Sequence, residues 1–394
     1  MAKDSPVFLT RVECPICKTV NEFETVKVGA YLEKGRDTDF CPTEIEWRNP
    51  EYQLHNPLAF FVATCSNCFY SREFNSAYKE WKDDANFKTY RLKTIKQKHL
   101  EQLAAADSFV KRLGEHTDIA SRPNESAIMK LLLAAFDEGL ADHHSQLDLG
   151  RFYLRIAWVF RSMESGSDPG QKVVRGLMGE IEDRYAALRT AAGRLNDEAQ
   201  YFARHLASQF ESEQLSPDVR AAMLPFRERF DAAVKDLAEP QQQLEERLTA
   251  LSNLMVEYRE AVLGRDGSTP TLAFGSHPSF VDFLLELRKG WDGIVVNERE
   301  AMQKAAGHYQ AAFESGRELA KGNQQIQAAY LIAELSRRVG DHESAKQFFN
   351  KTIKLGQEYI YQSRHDRSRT ALARKILELA VEQGRLNLAA LKQT

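Results

Sequence analysis

Four of the five cysteines are spaced for metal chemistry. Cys14-Pro15-Ile16-Cys17 and Cys65-Ser66-Asn67-Cys68 are two C-x2-C knuckles separated by 47 residues. Each knuckle turns two thiolates toward one point, and the pair supplies the four sulfurs that tetrahedral Zn²⁺ requires, at roughly 2.3 Å each. The intervening length exceeds the usual spacing of roughly 15–20 residues. A site closed by Cys14, Cys17, Cys65 and Cys68 leaves no open coordination position, so a structural zinc is expected, one that stabilises folding and does not activate water. Lys18 and Arg72 beside the knuckles offset part of the thiolate charge. Two rival readings exist. Cys14-Pro15-x-Cys17 has the form of a thioredoxin-type pair, but the strand–helix context of that motif is not visible here. Structural disulfides call for an oxidising compartment, and Met1-Ala2-Lys3-Asp4-Ser5-Pro6 has no apolar signal segment. Cys41 is the fifth thiol: a buried small hydrophobe by preference, otherwise an alternative ligand or a reactive thiol. His55, before Asn56-Pro57, reads as a surface histidine more readily than as a ligand.

Other chemistry is less sharply indicated. Lys88, Arg91, Lys93, Lys96 and Lys98 fall between Ala85 and Leu100 with no acidic residue among them, a pattern that can contact nucleic-acid phosphates. Asp83, Asp84 and Glu101 flank the run and weaken its field, so a solvated helix face accounts for it better. Asp142-His143-His144 spells a phosphoesterase motif but sits at a helix end, without the strand context or partner carboxylates of a two-metal site. The chain contains no G-x4-G-K-[ST], G-x-G-x-x-G, G-x-S-x-G or H-E-x-x-H.

The elements that must position these residues divide by texture. The chain has 394 residues, 53 Lys+Arg against 56 Asp+Glu and a formal charge of −3, which excludes a strongly basic nucleic-acid coat and an acidic disordered chain. No apolar run approaches the roughly 20 residues of a membrane span. The expected fold is mainly α, with a small β-containing zinc-ribbon-like head at the N-terminus. Residues 1–85 form that head: five of the 12 prolines lie there, with β-favouring runs at Phe23–Leu32 and Ala59–Thr64. From Ser71 the spacing of Phe74, Tyr78 and Trp81 turns helical.

Residues 86–163 form a first helical part. Ser126–His144 carries an apolar stripe at Ile128, Leu131, Leu132, Ala135 and Phe136, and Leu147–Met163 follows closely enough to make a hairpin. Residues 164–299 read as an inserted helical module. It opens at the linker Glu164–Gly170, runs through a seven-residue recurrence of Ile181, Leu188, Leu195 and Phe202, and is punctuated by Pro217, Pro225 and Pro240. A coiled-coil seam follows at Leu244, Leu248, Leu251, Met255, Tyr258 and Val262, before a second linker at Gly264–Ser279. Residues 300–394 are helical again. Within them Ala329, Ile332, Ala333 and Ser336, a Gly340-Asp341 turn, then Ala345, Phe349 and Thr352 give the small–large spacing of a tetratricopeptide-like hairpin. Tyr153-x-x-Ile156-Ala157-x-x-Phe160 matches the first half of that pattern at an offset of 176 residues, which points to an interrupted array.

Three sets of residues resemble an uncharacterised bacterial family, the domain of unknown function numbered 2225. They are Cys14-Pro15-x-Cys17; then Arg36-Asp37-Thr38-Asp39-Phe40-Cys41 and Asn56-Pro57 leading into Cys65-x2-Cys68; then Tyr153-Leu154-Arg155-Ile156-Ala157-Trp158 and Tyr330-Leu331-Ile332-Ala333-Glu334-Leu335-x-Arg337-Arg338-x-Gly340. The likeness covers residues 10–85, 125–163 and 305–355. It departs at the second knuckle, where the family continues Gly-Tyr-Ala and this chain has Phe69-Tyr70-Ser71, and over 164–300, which has no match. The resemblance implies a zinc-ribbon-like head joined to tetratricopeptide-like helices and implies no activity. It draws attention to Arg36, Asp37 and Asp39, read here as a hydrogen-bonded turn that supports the metal site before a binding surface.

The reading that follows is a non-enzymatic, cytoplasmic interaction or scaffold protein. A protein or peptide partner would sit on the helical surface near Tyr153, Arg161, Arg337 and Arg338, with no membrane association. A nucleic-acid binder using Lys88–Lys98, and a thiol-redox sensor using Cys41 or the knuckles, are the alternatives.

Overall fold

The computed structural model describes residues 5–52, 55–165, 169–211, 215–262, 274, 277 and 279–392. The chain divides into two compact units, one made of Met1–Glu164 with Leu272–Thr394, the other of Ser165–Thr271.

The head of the first unit is three separate antiparallel hairpins: β1 (Val7–Glu13) with β2 (Val20–Val26), β3 (Tyr31–Arg36) with β4 (Pro42–Trp47), and β5 (Val62–Thr64) with β6 (Ser71–Glu73). Register is set by the turns, with Glu13 opposite Val20, Arg36 opposite Pro42, and Thr64 opposite Ser71. All three turns place a non-glycine residue at positive φ: Lys18 at 68°, Phe40 at 68° and Phe69 at 63°. Ser71–Glu73 is therefore a strand, not the start of a helix. The hydrogen bond from Cys65 N to Tyr70 O (2.9 Å) closes the knuckle and forces its far side to pair. Of Phe74, Tyr78 and Trp81 only Tyr78 lies in a helix, the short α1 (Ser76–Lys79).

The rest of this unit is helical. A π-helical turn at Phe87–Arg91 leads into α2 (Leu92–Ala104), followed by α3 (Phe109–Glu115), α4 (Pro123–Gly139) and α5 (Gln146–Ser165). The expected stripe on α4 is present and wider than expected: Ala127 to Ala135 is buried on every face, because head and helices enclose it.

The second unit holds α6 (Pro169–Glu211) and α7 (Pro217–Val262). Phe202 and Phe230 meet at 5.9 Å, Arg189 pairs with Glu245 at 3.2 Å, and Phe210 and Leu248 are buried. One expectation fails here. Pro225 and Pro240 do not interrupt α7, which runs through both. Each proline frees a carbonyl four residues back, at Ala221 and Asp236, and both of those positions are exposed, so water can take the lost bond. The row Leu188, Leu195 and Phe202 is 50%, 64% and 56% exposed, because two helices packed on each other cover only one stripe of each. Leu244 and Leu251 are likewise exposed. The side chains of Ile181, Met255, Tyr258 and Val262, and nearly all of the Gly264–Ser279 linker, lie outside the described residues.

The first unit resumes with α8 (Phe280–Arg288), α9 (Glu298–Ser315), α10 (Asn323–Arg338), α11 (His342–Gln362) and α12 (Arg367–Leu391). Ser279, Asn297, Asp341 and Asp366 cap α8, α9, α11 and α12 with side-chain oxygens. Gly340 turns between α10 and α11 at φ 87°. Ala329, Ala333 and Ala345 are fully buried, as close helix packing requires. Among the described residues no helix is long and apolar enough to cross a membrane.

Candidate metal centre

The two knuckles fold alike. In the first, Cys14 N donates to Thr19 O (2.8 Å) and Lys18 N to Cys14 O (3.0 Å); in the second, Cys65 N donates to Tyr70 O and Phe69 N to Cys65 O, both at 2.9 Å. Each therefore turns through a left-handed residue one position past its second cysteine, the conformation that glycine adopts most cheaply. The Phe69 side chain that stands at this position packs on Gly114 of α3, where a Cβ would come within 2.1 Å of the ring.

The turns bring the sulfurs of Cys14, Cys17, Cys65 and Cys68 within 4.8 Å of one another. Cys14 Sγ lies 3.6 Å from Cys68 Sγ, and Cys17 Sγ 3.5 Å from Cys65 Sγ. A tetrahedron with metal–sulfur bonds of about 2.3 Å has edges of roughly 3.8 Å, so the set can hold a metal ion of zinc's size with little adjustment. Cys14, Cys65 and Cys68 are buried and Cys17 half-buried. Hydrogen bonds from Cys14, Cys68 and backbone amides push the Cys65 thiol down, whereas Cys14 and Cys68 are pushed up by sharing protons with their neighbours. Without a cation the four thiols cannot all ionise together; a divalent ion removes that conflict.

Polar partners that carry no signature in the sequence fix the cluster. Asn21 on β2 is buried and straps the knuckles together. Its Oδ1 accepts from Ser66 N and Ser66 Oγ, both at 2.8 Å, while Nδ2 donates to Thr19 O (3.0 Å) and toward Cys65 Sγ (3.5 Å). On the other side, His99 of α2 places Nε2 2.8 Å from Cys68 O and Nδ1 2.6 Å from Asp137 Oδ1, and Asp137 Oδ2 accepts from Ser71 N (2.7 Å). Burial pushes the His99 imidazole down, but Asp137 and the Cys68 carbonyl outweigh it and lift it to about 9. Both of its ring nitrogens face acceptors, so a proton must lie on the His99–Asp137 contact. This chain of bonds anchors the second knuckle to α2 and α4.

The remaining expected residues lie elsewhere. Cys41 immediately precedes β4, outside the sulfur cluster, and burial with the nearby Asp39 charge pushes its thiol up to about 12, the opposite of a reactive thiolate. His55 packs between the Tyr52 and Phe60 rings. Asp142 is exposed and faces Thr94 and Lys98, and the Asp142–His144 run stays apart from the cluster. In the basic segment, Arg91 pairs with Glu138, Lys98 reaches Leu140 O (3.2 Å) and Asp142 (3.5 Å), and Lys88 contacts Lys82 O. Lys93 and Lys96 are exposed, with no ion-pair partner among the described residues.

The Arg36–Cys41 turn does not support the sulfur cluster; it docks on the helices. Arg161 of α5 donates to Asp37 Oδ2 (2.9 Å), to both oxygens of Asp39 (3.0 and 2.6 Å) and to Glu298 of α9 (2.7 Å). Arg338 of α10 donates to Asp37 Oδ1 and Thr38 Oγ1, both at 2.7 Å, and to Glu334 (2.8 Å). Glu334 is fully buried and also binds Arg337 and the Thr38 hydroxyl. Tyr330 and Trp158 close the network on Thr38 O (2.8 Å) and Asp39 Oδ2 (3.2 Å). Tyr153, expected on an open groove, is buried with its hydroxyl on Gly293 O (2.8 Å). Of the four residues expected on a partner face, Arg161 and Arg338 are thus engaged by the chain's own hairpin, Arg337 by Glu334 and Tyr153 by Gly293.

No curated protein and no solved structure matches the chain. One family model does, over residues 7–212 and 291–373, and so extends the likeness into α6, beyond the segments first recognised. The chain belongs to the family described as "Uncharacterized protein conserved in bacteria (DUF2225)".

Proposed function

We propose that this chain is a non-enzymatic scaffold protein of a reducing, cytoplasmic compartment, its head held by a structural zinc ion and its helices serving a protein partner. The observation that carries the reading is the donor set: four sulfurs supplied by the chain, three of them buried, braced by Asn21 on one side and by His99 and Asp137 on the other. Four thiolates complete a tetrahedron and leave no position for substrate or water, so the ion would contribute folding energy and not catalysis. Five unpaired cysteines suit a reducing compartment.

The partner-binding surface is assigned to the second unit, not to the face around Arg161, Arg337 and Arg338, whose side chains are engaged internally. Leu188, Leu195, Phe202, Leu224 and Phe226 are exposed apolar side chains on α6 and α7, the composition of a contact surface. Metal analysis of the purified chain should find about one zinc per molecule, and a chelator should loosen the head. Affinity purification from the native organism should recover a partner that is lost from a Leu188→Glu/Leu195→Glu/Phe202→Glu variant. A folded chain without metal defeats the zinc reading, and identical capture by both proteins defeats the assigned surface.

A further inference from the structure

A second site lies where three of the family-matched segments meet. A cleft of about 450 Å³ opens between the β3–β4 hairpin and helices α5, α9 and α10. Phe40, Leu154, Trp158, Tyr309 and Leu331 supply an apolar and aromatic wall, and Arg155 stands among them. The volume falls in the range of small-molecule sites, which pair apolar walls with a few placed polar groups.

The charges at this cleft are unequally matched. Arg36 at its rim is held by Glu33 (3.2 Å), and Arg151 by Asp148 (2.9 Å) and Glu73 (3.2 Å). Arg155 has no carboxylate partner among the described residues. Its Nη1 donates to the Arg151 carbonyl (3.1 Å), and its guanidinium carbon lies 4.2 Å from the centre of the Phe61 ring. Burial and the neighbouring Arg151 act against its charge and outweigh the more distant help of Glu73 and Asp148. A half-buried guanidinium braced on an aromatic face, with donors left over, is a receptor for an anion. A carboxylate would give Arg155 the direct ion-pair partner it lacks, and the apolar walls match a hydrocarbon body.

We propose that this cleft binds a small monocarboxylate with an apolar body, its carboxylate received by Arg155 and its hydrocarbon part by Trp158, Leu154 and Leu331. The reading is independent of the metal site, because no sulfur ligand lines the cleft.

Calorimetry on the full chain, with phenylacetate, hexanoate and octanoate as probes, tests it. At least one should bind with Kd below about 1 mM, and its neutral amide should bind at least about tenfold more weakly. Arg155→Met should weaken the carboxylate to the level of the amide, and Arg155→Lys should retain part of the affinity, with far-ultraviolet circular dichroism confirming the fold of each variant. The carboxylate–amide comparison on the native chain needs no variant and stands if either fails to fold. Absence of saturable binding by all three probes overturns the site. Equal binding of acid and amide overturns the role of Arg155, and tighter binding of phenyl phosphate than of phenylacetate overturns the monoanion assignment.

Discussion

The head is held at two poles that solve opposite electrostatic problems. At the sulfur pole, four groups of one chemical kind converge within 4.8 Å, and their thiolate forms repel one another until a cation joins them. At the carboxylate pole, Asp37, Asp39, Glu298 and Glu334 meet Arg161, Arg337 and Arg338, so positive charge comes from the chain itself. The first pole is local, closed between hairpins and braced by α2 and α4. The second ties the head to helices encoded far downstream. The contrast teaches that a site that needs a counter-charge from outside the chain and a site satisfied by the chain itself can look equally polar in sequence. What separates them is whether the counter-charge is present in the fold.

The largest effect is expected at the sulfur pole. If the cysteines hold a metal ion as proposed, Cys65→Ser should abolish stoichiometric metal and cost on the order of 5 kcal/mol or more, read as loss of bound metal and early proteolysis of residues 5–75. The carboxylate pole should respond differently. Asp39→Ala leaves Arg161 partly buried without its main partner and should cost about 3–5 kcal/mol in urea unfolding while metal content stays unchanged. Loss of metal in that variant would erase the distinction between the poles.

Asp137→Asn tests the brace on α4. It should lower metal affinity roughly 10–100-fold in competition with a chelator, as loss of a supporting bond to a ligand does elsewhere. Asn21→Ala removes the strap between knuckles and should cost about 1–3 kcal/mol. The mildest probe is acid. Burial works against the Asp37 carboxylate, but the Thr38 amide and Arg338 outweigh it and hold it below its usual 3.8. Its contribution is therefore present above that value and lost only as pH falls through the lower folded-state one. Thiolate ligands protonate earlier, so metal should leave on acidification while the hairpin stays docked. Simultaneous loss, followed by metal release and Trp158 fluorescence, would mean that the poles are coupled.

The parts legible in the sequence were those with short-range signatures. The knuckle spacing anticipated the sulfur cluster, and the apolar stripes anticipated α4 and α5. Illegible were residues ordinary in type and informative only in place. Asn21, His99 and Asp137 have no spacing rule relative to the cysteines, because three different elements bring them there. Arg161 and Arg338 looked like free groove-face cations, since they share Asp37, on a turn more than a hundred residues away in sequence. The departure from glycine at Phe69 was visible, but its compensation by Gly114 was not. The seven-residue row on α6 was legible as a recurrence but not its exposure, because periodicity reports that a face is apolar and is silent on what covers it.

The long reach of the carboxylate pole sets an order in time. Asn21 and Cys65 are 44 residues apart and His99 and Cys68 are 31 apart, whereas Thr38 waits for Glu334 across 296 residues and Asp37 for Arg338 across 301. At ribosomal rates of roughly 5–20 residues per second, that wait lasts roughly 15–60 seconds. Through that interval the growing chain carries a hairpin whose tip, Arg36-Asp37-Thr38-Asp39, is hydrophilic enough to remain in water. The knuckles can capture their ion on the nascent chain, and docking of the hairpin then registers that synthesis has passed residue 338.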